Sequence, residues 1–411
     1  MPPAALAPFT VRSFRFQWPA DLLTSWAMEM ESLILGWYVL VETGSVLLLT
    51  VFGSLQYLGT LIAPMLGVAS DRIGHRNLLC AMRAVYTVLA AALMVLAFTR
   101  TLSPLAVLVI VAFNGLVRPS DLGVRTALIA HTLSPERLLG AMSISRTTQD
   151  TARIAGALAG AGMMVAFGMG PAYAVIASFY AVGALLTLGV AATQPPRPAV
   201  DAAAGLEASP WRDFRKGIVY VWTTRGLHAA IWLAFLINLT AYPISNGLLP
   251  YVAKDIYGLD QTGLGYLLAS FACGALIGSI ALSQAGARLR LPRLMIVSAA
   301  LWYVVLLVFA HVQSAAGGIV CLALAGFVQS VSIVCVAVIL MRAAGAEFRG
   351  RVMGARTIAI YGLPLGLLGA GALVGRIGFG ATATLYAVVG LIITLAIAVR
   401  WRAEVWHAGE P

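Results

Sequence analysis

Charged residues are scarce in this chain of 411 residues: Asp, Glu, Lys and Arg together make up only 10% of it. An ordinary soluble domain has roughly a quarter charged residues, so a water-soluble fold of this size is excluded. Apolar runs instead reach about twenty residues, the length that a helix needs to cross roughly 30 Å of hydrocarbon. The run LAVLVIVAFNG from Leu105 does not alternate between apolar and polar residues, which argues against a transmembrane β-barrel. The sequence predicts an all-α polytopic membrane protein.

Several kinds of chemical signature are missing as well. The four cysteines lie in apolar stretches without a CxxC spacing, so neither disulfides nor zinc are predicted (Cys80, Cys273, Cys321 and Cys335). A G-x-x-x-x-G-K-[ST] segment is absent, so ATP is not the expected energy source. The sequence also shows no nucleophile–base set and no cluster of metal ligands. We therefore expect neither an enzyme nor a bound cofactor.

Polar breaks divide the apolar runs into about twelve spans. Their approximate limits are 18–41, 45–69, 77–98, 103–127, 140–166, 171–193, 227–252, 261–285, 292–311, 317–341, 352–374 and 380–399. The one long polar stretch, rich in Pro, Ala and charge, separates the sixth span from the seventh. The predicted organisation is a six-helix bundle over 1–193, a cytoplasmic linker over 194–226 and a second six-helix bundle over 227–411.

The basic residues predict the orientation in the membrane. The chain has 27 Lys and Arg residues and a net charge of +11. With a cytoplasmic N-terminus, three of them lie in outer loops (Arg100, Lys254 and Arg376) and two inside spans, which leaves 22 on the cytoplasmic side. Because Lys and Arg concentrate in cytoplasmic loops, both termini and the linker are predicted to be cytoplasmic. The same asymmetry accounts for the net charge without a nucleic acid partner.

The two halves repeat weakly at an offset of about 211 residues. The segment from Glu136 lies over the segment from Glu347, so that Met142 falls on Met353. Parallel repeats related by an axis along the membrane normal are typical of transporters whose halves rock around a central site.

The loop between spans two and three reads Gly67-Val-Ala-Ser-Asp71-Arg72-Ile-Gly74-His75-Arg76. Gly67 allows close helix contact and Gly74 permits a sharp reversal, while the charged residues can form ion pairs at the cytoplasmic rim. This segment resembles the signature G-x-x-x-D-R-x-G-R-R of the Major Facilitator Superfamily, with His75 at a position where the family has Arg. The resemblance implies a conformational latch that consists of Gly67, Asp71, Arg72, Gly74 and Arg76, with Arg125 as a candidate partner of Asp71.

Three further segments resemble the branch of the enterobactin exporter and related drug exporters. They are SPERLLGAMS before span five, WRDFRKGIVYVWTTRGL before span seven and FRGRVMG before span eleven. The resemblance implies the major facilitator fold, with 12 transmembrane helices in two pseudo-symmetric six-helix bundles, and a monomer.

Charged residues inside the spans indicate where coupling chemistry could take place. Each costs roughly 2.5–3.5 kcal/mol near the bilayer centre, so it needs a partner, a water-filled cavity or a function. We count six in the first half: Glu29, Glu31, Arg118, Asp121, Asp150 and Arg153. Four carboxylates against two guanidinium groups leave an excess of acid, which favours a bound proton on at least one of them. The alternative is that Asp121 and Asp150 only neutralise Arg118 and Arg153.

Neutral polar residues in the spans are candidates for the substrate cavity. They are Asn114 on span four, Asn238, Tyr242, Ser245 and Asn246 on span seven, and Gln329 on span ten. The resemblance implies that spans one, four, seven and ten line this cavity. Pro243 should also break span seven locally and free carbonyl groups. The alternative is that these side chains only bond neighbouring helices.

The sequence predicts a secondary transporter in the bacterial cytoplasmic membrane that exports an amphipathic small molecule, such as a siderophore, drug or lipid-like compound, in exchange for protons. The expected partners are this substrate, protons and membrane lipids. One alternative within transport is uptake by symport, or transport of a metal ion or an organic anion. Alternatives of another class are a non-transporting membrane sensor and a membrane enzyme that acts on lipids.

Overall fold

The computed structural model describes residues 4–60, 62–191, 225–284, 290–343 and 359–402, and within these ranges it consists of helices and short connections without strands. In the first half a short 3-10 helix (Ala4–Thr10) precedes seven helices. These are α1 (Arg12–Thr43), α2 (Val46–Leu55), α3 (Ala63–Ile73), α4 (His75–Phe98), α5 (Pro104–Thr132), α6 (Pro135–Phe167) and α7 (Met169–Leu188). The predicted all-α fold class is confirmed.

The described part of the second half contains five further helices. Helix α8 begins at Arg225, and after Leu236 it continues through three π-helical segments, Ile237–Ala241, Pro243–Gly247 and Val252–Ile256. The others are α9 (Gln261–Gln284), α10 (Leu291–Phe309), α11 (Ala315–Ala343) and α12 (Gly362–Arg400). Helix α12 is interrupted at Gly378, whose φ of 77° is a conformation that favours glycine. This break falls between the predicted spans eleven and twelve.

Among the described residues, eight helices are long and apolar enough to cross a membrane. They are α4, α5, α7, α8, α9, α10, α11 and α12. Helices α1 and α6 have comparable lengths of 32 and 33 residues but carry more charged side chains. Since α2 and α3 together cover the second span and α12 covers the last two, the helices are consistent with the predicted twelve spans.

The chain divides into two compact units. Unit 1 consists of Met1–Glu42 and Leu55–Ala208, and unit 2 of Thr43–Ser54 and Ser209–Pro411. The segment Thr43–Ser54 was expected in the first bundle but groups with the C-terminal helices. It does so because the Ser54 hydroxyl donates to the Pro364 carbonyl over 3.1 Å, and because Thr50 packs where Gly371 lacks a side chain. The predicted linker lies outside the described residues.

Helix α1 is the central element of unit 1. Glycines on α6 bring that helix against it: a Cβ at Gly156 would lie 2.8 Å from the Cβ of Glu29, and one at Gly160 would lie 2.9 Å from the Cα of Met30. On the other side of α1, Thr24 packs against Gly183 of α7. Residues of α1 are therefore buried over most of its circumference, including the polar residues Gln17, Asp21 and Glu31.

Candidate functional site

Four charged residues form a buried ion-pair cluster between α1, α4 and α5. Asp21 of α1 pairs with Arg83 of α4, and its carboxylate also lies 3.7 Å from the Nε atom of Arg125 on α5. Arg125 in turn pairs with Asp121, one turn earlier on the same helix. We call Asp21, Arg83, Asp121 and Arg125 the charge tetrad. Its two carboxylates and two guanidinium groups balance, so it needs no proton to become neutral.

Neutral groups supply further contacts to the tetrad. Arg83 also donates to the Thr187 hydroxyl and, over 3.3 Å, to the Gly183 carbonyl, so it ties α4 to α7. Arg125 donates to the Ser25 hydroxyl over 2.8 Å and to the Asp21 carbonyl over 3.3 Å. The tetrad therefore joins α1, α4, α5 and α7 through charge-assisted bonds, which are stronger than bonds between neutral groups.

A second set of polar residues surrounds Glu31, whose exposed fraction is 3%. One carboxylate oxygen, Oε2, accepts hydrogen bonds from the Asn114 amide over 3.1 Å and from the Tyr180 hydroxyl over 2.9 Å. The other oxygen, Oε1, is buried without a hydrogen-bond partner among the described residues, as is Oδ1 of Asn114. Hydrogen bonds from the described residues therefore reach only one of the two oxygens of this buried carboxyl group.

Arg118 lies next to this group on α5. It donates to the Gln56 side-chain oxygen over 2.7 Å, to the Ser32 hydroxyl over 2.9 Å and to the Met28 carbonyl over 3.3 Å. Both Glu29 and Glu31 interact electrostatically with its charge. We call Glu29, Glu31 and Arg118 the acidic triad. Within this triad, two carboxylates lie near one guanidinium group.

Asp121, Asp150 and Arg153 differ from the predictions made for them. Asp121 pairs with Arg125 instead of Arg118, and Asp150 pairs over 3.2 Å with Arg146, whose side chain is 54% exposed. Arg153 is exposed, so the prediction of a buried cation there is wrong. Position 153 lies at the edge of the α6 face that Ala152, Gly156 and Gly160 form, where a long arginine side chain can extend out of the helix interface.

The cavity candidates also divide into different roles. Asn114 is buried and donates to Glu31, and Ser245 is fully buried with its hydroxyl on the Ala241 carbonyl. Both contacts fit helix packing, and a substrate-contact role for these two stays a prediction. Asn238 is half-buried and donates back to the Ala234 carbonyl over 2.8 Å. Asn246 donates to Ser245 over 3.4 Å.

Tyr242 and Gln329 form a polar contact inside unit 2. The Gln329 amide donates to the Tyr242 hydroxyl over 2.6 Å, which joins α11 to the π-helical part of α8. The Tyr242 ring also meets Trp302 of α10 edge to face, with centroids 5.3 Å apart. Because π-helical turns leave backbone groups irregularly bonded and frequently mark functional sites, these two residues remain the best cavity candidates of unit 2.

The chain matches the model of one protein family over most of its length. The model of the Major Facilitator Superfamily matches residues 18–364 and also 231–410. The chain belongs to the Major Facilitator Superfamily. The resemblance seen in the loop motif and in the spans is therefore confirmed.

Two kinds of similar protein refine this result. Macrolide efflux protein A of Streptococcus pyogenes is 22% identical over 278 residues, which cover 66% of this chain and 67% of that protein. The POT family transporter PepTSo superposes with a TM-score of 0.74 at 13% identity, covering 96% of this chain and 98% of that one. The human organic anion transporter MFSD10 gives a TM-score of 0.65 at 16% identity, covering 97% and 100%. These structures share the fold of this superfamily member.

The superfamily motif between spans two and three lies at the junction of α3 and α4. Gly74 has a φ of 88° and separates the two helices, as its predicted turn requires. Arg76 donates to the Val190 carbonyl over 3.3 Å, Arg72 is exposed, and His75 bonds to Ser70. The surroundings of Gly67 and the side chain of Asp71 lie outside the described part. Arg125 is buried in the charge tetrad, and its predicted role as a rim partner of Asp71 stays a prediction.

The sequence reasoning missed two members of the tetrad, Asp21 and Arg83. Both lie inside predicted spans, at 18–41 and 77–98, and this position is a signal that could have identified them. Arg83 is 0% exposed and is thus among the most deeply buried charges in the described part of this transporter.

Proposed function

We propose that this protein is a secondary transporter that exports an amphipathic small molecule in exchange for protons. It acts in the bacterial cytoplasmic membrane as a monomer with both termini in the cytoplasm, and it carries out no chemical conversion of its substrate. The superfamily assignment supports transport, and the similarity to a macrolide efflux protein supports export.

The acidic triad is the observation that carries the proton-coupling proposal. The charge tetrad is balanced within itself and Asp150 has Arg146, whereas the acidic triad contains two carboxylates and one guanidinium group. Of the two acids, Glu31 is the more deeply buried and has the oxygen without a partner. Glu31 is therefore the proposed proton carrier, and Arg118 is the fixed charge that favours release of the proton.

The proposed substrate class follows from the neutral polar and aromatic side chains of unit 2. Tyr242 offers a hydroxyl beside the Trp302 ring, and Gln329 offers an amide that bonds to this hydroxyl. Asn238, one turn before Tyr242 on the same helix, offers a second amide, and none of these side chains is charged. Such a set suits a molecule with a large apolar surface and several neutral oxygens. A macrolide has these properties, and siderophores and lysolipids share them in part.

Transport in proteoliposomes with an imposed pH gradient tests the proposal. A macrolide is the first substrate to use, followed by a siderophore, a lipophilic cation and a lysophospholipid. We expect the wild-type protein to accumulate one of these only when the gradient is present. Absence of gradient-driven transport for every class would overturn proton-coupled export.

Two variants on α1 then identify the carrier. Glu31→Gln keeps the shape and the hydrogen bonds of the side chain but cannot change charge, so we expect it to lose gradient-driven accumulation and retain substrate exchange. Glu42→Gln is the matched control, since Glu42 is exposed at the end of the same helix. Normal driven transport in Glu31→Gln would exclude Glu31 as the carrier, and Glu29→Gln would then be the next variant.

A further inference from the structure

A small recess opens into unit 1 at the end of α1 that carries the N-terminus. It encloses about 250 Å³ of space, open solvent at its mouth included. Its walls come from α1, α5 and α6 and combine aromatic, hydroxyl, amide and charged groups: Phe14, Trp18, Asp21, Ser25, Arg125, Ile129, Ser145, Thr148 and Gln149. The recess therefore reaches the Asp21–Arg125 side of the charge tetrad from the surface.

The polar atoms at this end of the tetrad require more partners than the protein supplies. Nη2 of Arg125, Oδ2 of Asp121 and Oε1 of Gln17 are buried without a hydrogen-bond partner among the described residues. Gln17 meets Arg125 directly, since its amide donates to the Arg125 carbonyl over 3.1 Å. A recess that is lined by several polar groups and has room for a water molecule normally holds water, which can bond to such atoms, since Arg125 lines the recess itself.

A continuous polar seam connects the recess with the acidic triad. Along α5, Asn114, Arg118, Asp121 and Arg125 follow one another at spacings of 4, 3 and 4 residues and share one face. Three of these side chains donate hydrogen bonds to α1, and their partners follow in the reverse order because the two helices are antiparallel. Asn114 donates to Glu31, and Arg118 donates to Ser32 and to the Met28 carbonyl. Arg125 donates to Ser25 and to the Asp21 carbonyl. The seam ends at the recess.

We propose that the recess is a water-filled branch through which protons pass between the α1–α5 seam and the aqueous phase at the N-terminal end of unit 1. The water site stands by itself, and its use by protons rests on the proposed function. When Glu31 releases its proton, the O–H bond breaks, the electron pair remains on the carboxylate, and a water molecule takes the proton as hydronium. Asp121 of the seam and Asp21 of the charge tetrad attract this cation. The positive charges of Arg118, Arg125 and Arg83 repel it and so prevent it from staying there.

Hydroxyl-radical footprinting of the wild-type protein tests the presence of water. Phe14 lines the recess and Phe309 of α10 does not, yet both are 1% exposed, so they form a matched pair. We expect several-fold more oxidation of Phe14 than of Phe309. Equal and minimal oxidation of both rings would overturn the proposal.

A variant that fills the recess tests the proposed proton pathway. Ser145→Leu places an isobutyl group at the wall of the recess, and Thr147→Leu is the control on an exposed position of the same helix. We expect Ser145→Leu to reduce Phe14 oxidation several-fold and to slow gradient-driven transport by a similar factor, with substrate exchange retained. Driven transport at the wild-type rate despite lost oxidation would overturn the proton route. Absence of driven transport in the wild-type protein would instead contradict the proposed function, so the two failures are distinguishable.

Discussion

At the scale of single residues, the environment of each buried acid decides its role. Asp121 and Asp21 each have a guanidinium partner. Among the described residues, Glu31 has only neutral hydrogen-bond donors on one oxygen and none on the other. The composition of the spans identifies buried acids, but it does not say which cation folds against which acid. For this reason the sequence names Glu31 and Arg118 and assigns the wrong partners to Asp121 and Asp150.

The tetrad yields a prediction about stability. Arg83→Met removes one guanidinium group and leaves Asp21 buried with only a 3.7 Å contact to Arg125. Removing one partner of a buried pair costs about 3–5 kcal/mol, because the remaining charge is uncompensated. We expect a large fall in the thermal unfolding midpoint of the detergent-solubilised protein, partly restored in the double variant Arg83→Met with Asp21→Asn.

Asp150 provides the comparison for that measurement. Its partner Arg146 is largely exposed, and such pairs contribute about 0–1 kcal/mol. Asp150→Asn should therefore lower the midpoint much less than Arg83→Met does. Equal effects of the two changes would contradict the assignment of the tetrad as the tie between α1, α4 and α7.

At the scale of helices, small residues and proline account for the irregular elements. The sequence predicts a break in span seven at Pro243, and the structure places a π-helical segment there, from Pro243 to Gly247. It does not predict the π-helical segments at Ile237–Ala241 and Val252–Ile256, because these arise where α8 meets its neighbours. One such neighbour is α12, where Gly362 and Gly366 contact α8 backbone atoms of Phe235 and Leu239.

The contact of α12 with α8 can be tested with a pair of glycines. A Cβ at Gly366 would lie against the Leu239 carbonyl and 2.9 Å from the Pro243 ring, whereas one at Gly375 meets nothing within 4 Å. Gly→Ala inside a helix otherwise gains about 1 kcal/mol in propensity. We therefore expect Gly366→Ala to lower the thermal midpoint and Gly375→Ala to leave it unchanged or raise it. A stabilised Gly366→Ala variant would show that α8 does not pack this closely.

At the scale of the whole molecule, the length and spacing of the apolar runs predict most of the fold. The helix limits of α4, α9 and α10 lie within a few residues of the predicted spans, because hydrocarbon thickness fixes helix length. The grouping of Thr43–Ser54 with unit 2 has no counterpart in the sequence. It depends on contacts between residues about 300 positions apart, such as Ser54 with Pro364, which periodicity does not encode.

The orientation of the molecule gives the last prediction. Burial of Arg83 and Arg125 removes two residues from the cytoplasmic count, but the remaining excess of basic residues still far exceeds the three in outer loops. In a variant without native cysteines, a single cysteine is placed either at Ala202, in the predicted linker, or at Thr101, exposed between α4 and α5. An impermeant maleimide added to intact spheroplasts should label only the cysteine at position 101, and permeabilisation should then allow labelling at position 202. Labelling of position 202 in intact spheroplasts would reverse the topology, and the end of unit 1 that carries the recess would then face outward.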